Sequence, residues 1–387
     1  MRVYLDHNAT APLRPEARTA MVSALDDTGN ALSVHAEGRR ARARIDAARR
    51  QVAALVGAPS DDVIFTSGGS EANALALRGA VQGAAAAGER ITRLIVSAIE
   101  HDSLLANALA CEETIPGLRV LTCPVTPNGV VDMAALKRIL CEGKGRALVS
   151  IMAANNETGV IQPLADAIAL AKANAALVHS DAVQAAGKLR LDFAGLGLDY
   201  MTISAHKLGG PQGAGALIAR QGAPLLRQIA GGGQEFGRRA GTESVCAIGG
   251  FGAAAQAATA ELELWRERAA WRDHLIRKLK AASPEAIVVG AGVDRLPNTI
   301  CIAVPSVPAE NMLIALDLDG IAISAGAACS SGKVAQSHVL TAMGVEPHLV
   351  GTAIRVSFGW NTKEEELTAF ADAWARIVKR AQARVAA

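Results

Sequence analysis

The sequence predicts an α/β protein in which a large domain on a mostly parallel sheet is followed by a smaller α+β domain. Three observations carry that expectation. Between about residues 60 and 220, short β-rich runs alternate with alanine-rich helical stretches, the pattern of strands joined by crossover helices. A helical stretch then runs from about 245 to 282 and bridges to a second region. That region holds IVVG, NTICIAV, a helix from about 309, IRVSFG and a closing helix, TKEEELTAFADAWARIVKRAQAR.

Each strand is expected where Val, Ile, Thr or Tyr concentrate in a short run bounded by turn formers. VIFTS (63–67), TRLIVSAI (92–99), LRVLTC (118–123), ALVSIMA (147–153), ALVHSD (176–181) and YMTISA (200–205) meet that description. Helices fit between them. The 245–282 stretch reads as one long helix or a closely spaced pair, and the domain boundary is placed inside it.

The 387 residues suggest about two domains. Half of them are hydrophobic and 20% charged, which fits a globular chain and excludes a disordered one. A net charge of +2 gives no reason to expect nucleic acid or an anionic membrane as the main partner. The start, MRVYLDHNATAPLRPEAR, is charged early and has no apolar core, so neither signal peptide nor membrane anchor is expected and the location is read as cytoplasmic. Six cysteines (Cys111, Cys123, Cys141, Cys246, Cys301, Cys329) show no CxxC pair or zinc-like spacing, which argues against a disulfide framework and a metal site. All but Cys329 fall in expected helices or strands and read as packing. The run GRRARARIDAARR (38–50) holds six arginines on an expected helix. A solvated helix face is favoured there over a docking patch, because no aromatic residues are interleaved.

In open α/β sheets ligands bind beyond the carboxyl ends of the strands. Five successive strand ends here carry chemistry: GGSEAN, Glu100-His101, AANNETG, Asp181 and His206-Lys207. In SGGSEANALAL (67–77) the chain passes through Gly68 and Gly69 into a helix, which suits a phosphate; Ser70 fits that role and equally a helix N-cap. The loop is neither a Walker A sequence nor GxGxxG, so nucleotide readings lose their main support. Lys207 sits among small residues in SAHKLGGPQG, where a flat ligand has room and a Schiff-base lysine is the sharp reading against an ordinary loop lysine. A phosphate cradle, a stacking histidine, a carboxylate for a pyridinium nitrogen and an amine, in this order, meet the needs of pyridoxal phosphate.

With these residues assembled, the chain resembles the cysteine desulfurases of the NifS/IscS type, within the fold-type-I, class V aminotransferase enzymes. YLDHNATAP, FTSGGSEAN, EH, NNETG, HSDAVQ, SAHKLGGPQG, RRAGTE, SAGAACSS and AIRVSFG follow the family's order over nearly the whole chain. The resemblance implies a seven-stranded, mostly parallel sheet in a large domain of residues 16–258, and a small domain of 1–15 with 259–387. It implies that Lys207 holds pyridoxal 5'-phosphate and moves protons, Asp181 pairs with the ring nitrogen, Gln184 reaches the ring oxygen, and His101 stacks on the ring. Gly69, Ser70, Ser204 and His206 are implied at the phosphate, with Thr242 from a neighbouring subunit of a homodimer. Asn156 and Arg355 are implied at cofactor and substrate, Arg355 gripping the carboxylate of L-cysteine through a bidentate pair. Cys329, in ISAGAACSSG (323–332), is then the nucleophile that takes the substrate sulfur as a persulfide, on a loop expected to be weakly ordered.

Three departures stand out: Gly209 and Gln212 replace a frequent aromatic residue and lysine, and Ala74 replaces a frequent polar residue. The chain ends soon after IVKRAQARVAA, where relatives often continue into a tail that meets an iron–sulfur scaffold protein, so scaffold docking is the less secure partner expectation. The competing readings are a selenocysteine lyase or small-substrate aminotransferase of the same fold, and a non-catalytic protein that docks partners through the arginine-rich helix.

Overall fold

The structure is a computed structural model that describes residues 2–305, 307–325 and 336–386, with side chains described as far as residue 383. Its strands, in chain order, are β1 (Val3–Tyr4), β2 (Val63–Thr66), β3 (Ile91–Ser97), β4 (Arg119–Cys123), β5 (Arg146–Ser150), β6 (Leu177–Asp181), β7 (Tyr200–Ser204), β8 (Gly215–Ala219), β9 (Ile287–Val288), β10 (Thr299–Ala303), β11 (Ile321–Ala322), β12 (Ser324–Ala325) and β13 (Ala353–Ser357). A seven-stranded sheet takes the order β2-β8-β7-β6-β5-β3-β4. From β7 to β4 its neighbours are parallel, while β8 runs antiparallel to both β7 and β2. The strands bury both faces, as a parallel sheet covered by helices requires.

Strand order reverses around β3: the chain goes from β3 outward to β4, then crosses back to β5 and on to β6 and β7. Such a reversal opens a crevice at the carboxyl ends of the strands. All six expected strands are present within one to three residues at each end. The strand of this sheet that was missed is β8, GALIA, a short glycine-flanked run that resembles a buried loop segment as much as a strand.

The 245–282 stretch is a pair of helices, Val245–Ala260 and Leu264–Ala282. The first contributes Ile248, Phe251, Ala254, Ala255 and Ala258 to the apolar core of the large sheet. The second sends Leu275 and Leu279 into a different core, built with Val3, Leu5, Ile300, Ile302, Val356, Phe370 and Trp374 around the sheet β12-β13-β10-β9. The amino terminus belongs to that second core because β1 pairs in parallel with β11. From there residues 6–14 cross to the large sheet, where Ala11 N donates to His206 O and Arg14 N to Gly209 O, both at 2.8 Å. Gly209 has φ +88°, and a Cβ there would stand 2.5 Å from Arg14 Cγ, so this packing of Arg14 leaves no room for the aromatic residue frequent at that position.

The arginine-rich run lies on the helix Ala36–Val56 and is engaged locally. Arg42 pairs with Asp46 at 3.0 Å and Arg44 with Asp27 at 2.6 Å. Arg49 is buried and makes a two-pronged pair with Glu235 at 2.7 and 2.8 Å. Arg39, Arg40 and Arg50 stay exposed on the solvated face of the helix. Glu235 also accepts from Phe65 N at 2.8 Å, which holds Glu235 and Phe236 in left-handed backbone, with φ +48° and +57°. Among the described residues, no helix is long and apolar enough to cross a membrane.

Removing one partner of a buried pair strands the other charge, so Glu235→Ala should cost roughly 3–5 kcal/mol, read as a lower urea midpoint. Arg49→Met with Glu235→Met should recover most of that loss. A single variant as stable as the parent would contradict this account.

Candidate active site

The strand ends meet in the crevice. After β7 a short 3-10 turn, Ala205–Lys207, aims Lys207 back toward the amino-terminal crossing, where its Nζ donates to Asn8 O at 2.6 Å and Ala9 O at 2.8 Å. Burial lowers its pKa from the usual lysine range to about 8, helped by the Arg355 guanidinium and opposed by Asp6 and Asp181. An amine that loses its proton this easily can act as nucleophile and base near neutral pH.

Asp181 ends β6, is buried, and accepts from Asn73 Nδ2 at 2.9 Å and Val183 N at 3.0 Å. Gln184, three residues on, donates from Nε2 to Asn8 O at 3.0 Å. His101 follows β3 and caps the helix Asp102–Thr114. Its Nδ1 accepts from Ser103 N at 3.1 Å, so the neutral ring carries its proton on Nε2, and the ring itself is exposed toward the crevice mouth. His206 is held by Thr10 Oγ1 at 3.2 Å; burial and the Lys207 and Lys188 charges lower its pKa to about 4, so it is neutral in ordinary buffer.

The helix Gly69–Ala86 begins at Gly68 without any side-chain cap. Ser70 is therefore not the N-cap; it sits exposed in the first turn, whose free N–H groups form an anion cradle. A Cβ at Gly68 would meet nothing within 4 Å, while one at Gly69 would lie 3.1 Å from Val183 Cγ2 and 3.6 Å from Ser204 Cβ. The cradle is thus open on one side and bounded by the ends of β6 and β7 on the other. A phosphate with a flat ring behind it fits that shape, between the Asp181 carboxylate and the Lys207 amine.

Arg355, on β13, is buried and brings the second core to the site. Its Nη2 pairs with Asp6 Oδ1 at 2.9 Å and its Nη1 donates to Asn156 O at 3.2 Å, leaving Nε without a partner among the described residues. Asn156 meets Arg355 through its backbone here. Thr242 is exposed, in the segment that Arg239 anchors to Glu71 at 2.8 Å. Cys329 and the order of its loop lie outside the described residues.

Sequence reasoning gave no role to several members. Asn8 and Asp6 were visible only as letters of YLDHNATAP. Glu100, beside His101, is fully buried, with Ser97 Oγ and Met152 N donating to its Oε1; burial and then Asp181 raise it to about 8, so it stays protonated at neutral pH. Of the cysteines read as packing, Cys111, Cys123 and Cys301 are buried, and burial pushes the Cys123 and Cys301 thiols up to about 12. Cys141 departs from that reading, because it lies on the exposed side of the helix Met133–Glu142.

This fold, with a strand-end lysine facing a buried aspartate, defines the class as the fold-type-I enzymes, which are pyridoxal-phosphate-dependent in general. The family profile described as Aminotransferase class-V matches residues 3–370, and the chain belongs to that family. It is 39% identical over 380 residues to the cysteine desulfurase IscS of Dictyoglomus turgidum, covering 98% of this chain and 95% of that protein. It is 42% identical over 372 residues to a cysteine desulfurase of Cereibacter sphaeroides, covering 94% and 92%. The X-ray structure of a NifS-like protein from Rickettsia africae superposes with a TM-score of 0.87 at 35% identity, covering 98% of this chain and all of that one.

Acylation of Lys207 by a small anhydride reagent, followed by peptide mass, should rise with pH through a midpoint near 8 in the cofactor-free protein. A midpoint in the usual lysine range, about 10.4, would contradict the buried setting.

Proposed function

We propose that this protein is a pyridoxal-phosphate-dependent L-cysteine desulfurase that works as a cytoplasmic homodimer. The observation that carries the reading is a buried lysine just past a strand end, Lys207, within electrostatic reach of Asp181 and Arg355, in a chain whose relatives bear that name. Pyridoxal phosphate supplies a carbonyl that condenses with the substrate amine and a ring that withdraws electrons from Cα.

The chain's residues do the rest. Asp181, fixed by Asn73, would hold the ring nitrogen of the cofactor by accepting its hydrogen bond. Gln184 would donate to the ring oxygen, His101 would cover one face of the ring, and the first turn at Gly69 and Ser70, with Ser204 and His206, would take the phosphate. The partner subunit's Thr242 completes that cradle. Arg355 and Asn156 receive the substrate carboxylate. Lys207 takes the Cα proton and returns protons as product forms.

Cys329 attacks the substrate sulfur as a thiolate. The substrate Cβ–S bond breaks, an S–S bond forms on Cys329, and L-cysteine leaves as L-alanine once protonated. The sulfur is carried as a persulfide, so Cys329 is oxidised as the substrate carbon is reduced and no outside oxidant is needed. Residues 16–258 form the cofactor-binding domain, and residues 1–15 with 259–387 form the domain that presents Arg355 and Cys329. A sulfur-acceptor protein, such as an iron–sulfur scaffold, then takes the sulfur.

Purified protein supplied with L-cysteine and a thiol reductant should form L-alanine, and Cys329→Ala should abolish it. Equal alanine formation by both would move the reading to a lyase or aminotransferase that does not use this cysteine.

A further inference from the structure

The desulfurase chemistry leaves one buried amine unused. Lys188 is 5% exposed, in the turn that comes after β6. Gly187, at φ +75°, reverses the chain there against Ala258, and Lys188 folds back so that its Nζ donates to Gln184 O at 2.8 Å and Gln184 Oε1 at 3.4 Å. It borders a small cavity shared with Lys207, His7 and Trp265.

The placement is costly. Burial, and then the Lys207 charge, lower Lys188 to about 7, so it sheds its proton before Lys207 does. The groups around it are no help: His7 and His206 are themselves lowered by the Lys188 charge, and Arg14 lines the same cavity. A methionine of similar length would fill the space without that penalty. Packing alone therefore does not explain a lysine.

What the lysine does achieve is visible at Gln184. The two ends of a carboxamide are nearly equal in size, so only hydrogen bonds decide which way it faces. Here Nε2 donates to Asn8 O, the same carbonyl that accepts from Lys207, while Oε1 is turned toward Lys188. We propose that Lys188 is a positioning residue that locks the Gln184 carboxamide with its nitrogen toward the cofactor's ring oxygen. This role rests on the protein being a pyridoxal phosphate enzyme.

The test compares intact protein, Lys188→Met, Gln184→Ala and the double variant. It measures the affinity of the cofactor-free proteins for pyridoxal 5'-phosphate and the pH midpoint of the visible absorption band of the loaded proteins. Each single variant should bind about tenfold more weakly, the scale of one hydrogen bond, and shift the midpoint in the same direction. The double variant should be no worse than Gln184→Ala. Lys188→Gln, which keeps a neutral donor, should recover most of the affinity and also serves if the methionine variant does not fold.

A methionine variant with unchanged affinity and midpoint, even one with a lower melting temperature, would overturn the inference. So would losses that multiply in the double variant. An intact protein that develops no band overturns the cofactor reading itself, and this inference with it.

Discussion

The site depends on one buried asparagine. Asn8 N donates to Ser357 Oγ at 3.0 Å, and its Nδ2 donates to Thr299 Oγ1 at 2.9 Å and Asn156 O at 3.1 Å. Its Oδ1 accepts from Asn298 Nδ2 at 3.2 Å, and its backbone carbonyl accepts from both Gln184 and Lys207. Two sheets, the β5 loop and the reactive amine are joined through a single residue. Because a buried amide left unpaired is expensive, these bonds stand or fall together, and the distance between Lys207 and Arg355 is set by the fold.

Burial then decides which groups carry charge. Lys207 at about 8, neutral His206 and protonated Glu100 all follow first from removal of water. Asp181 and Arg355 are each held by partners, Asn73 and Val183 for the one, Asp6 and Asn156 for the other. The result is a crevice in which an amine that changes protonation near neutral pH lies within electrostatic reach of Arg355, Asp6 and Asp181. That distribution suits a zwitterionic amino acid.

Much of this was legible in the sequence because parallel strands are short apolar runs and their carboxyl ends are where polar residues stand out. Asp181, Lys207 and His101 were found that way. Gly68 taking the N-cap place from Ser70 was not, since either residue starts a helix acceptably. The antiparallel β8 was hidden by its flanking glycines. Asn8 and Asp6 act across chain separations of nearly 350 residues, to Ser357 and Arg355, which no local pattern encodes. Lys188 escaped because a lone lysine in a turn is ordinarily solvated; only the fold buries it.

The central claim is that substrate sulfur comes to rest on Cys329. Loaded protein should be mixed with L-cysteine in the absence of reductant, trapped with an alkylating reagent, digested and weighed peptide by peptide. The account predicts that the peptide containing Cys329 gains one sulfur atom, lost again on reduction, while those containing Cys123 and Cys301 do not. The extra sulfur on another cysteine, or on none while alanine accumulates, would contradict it.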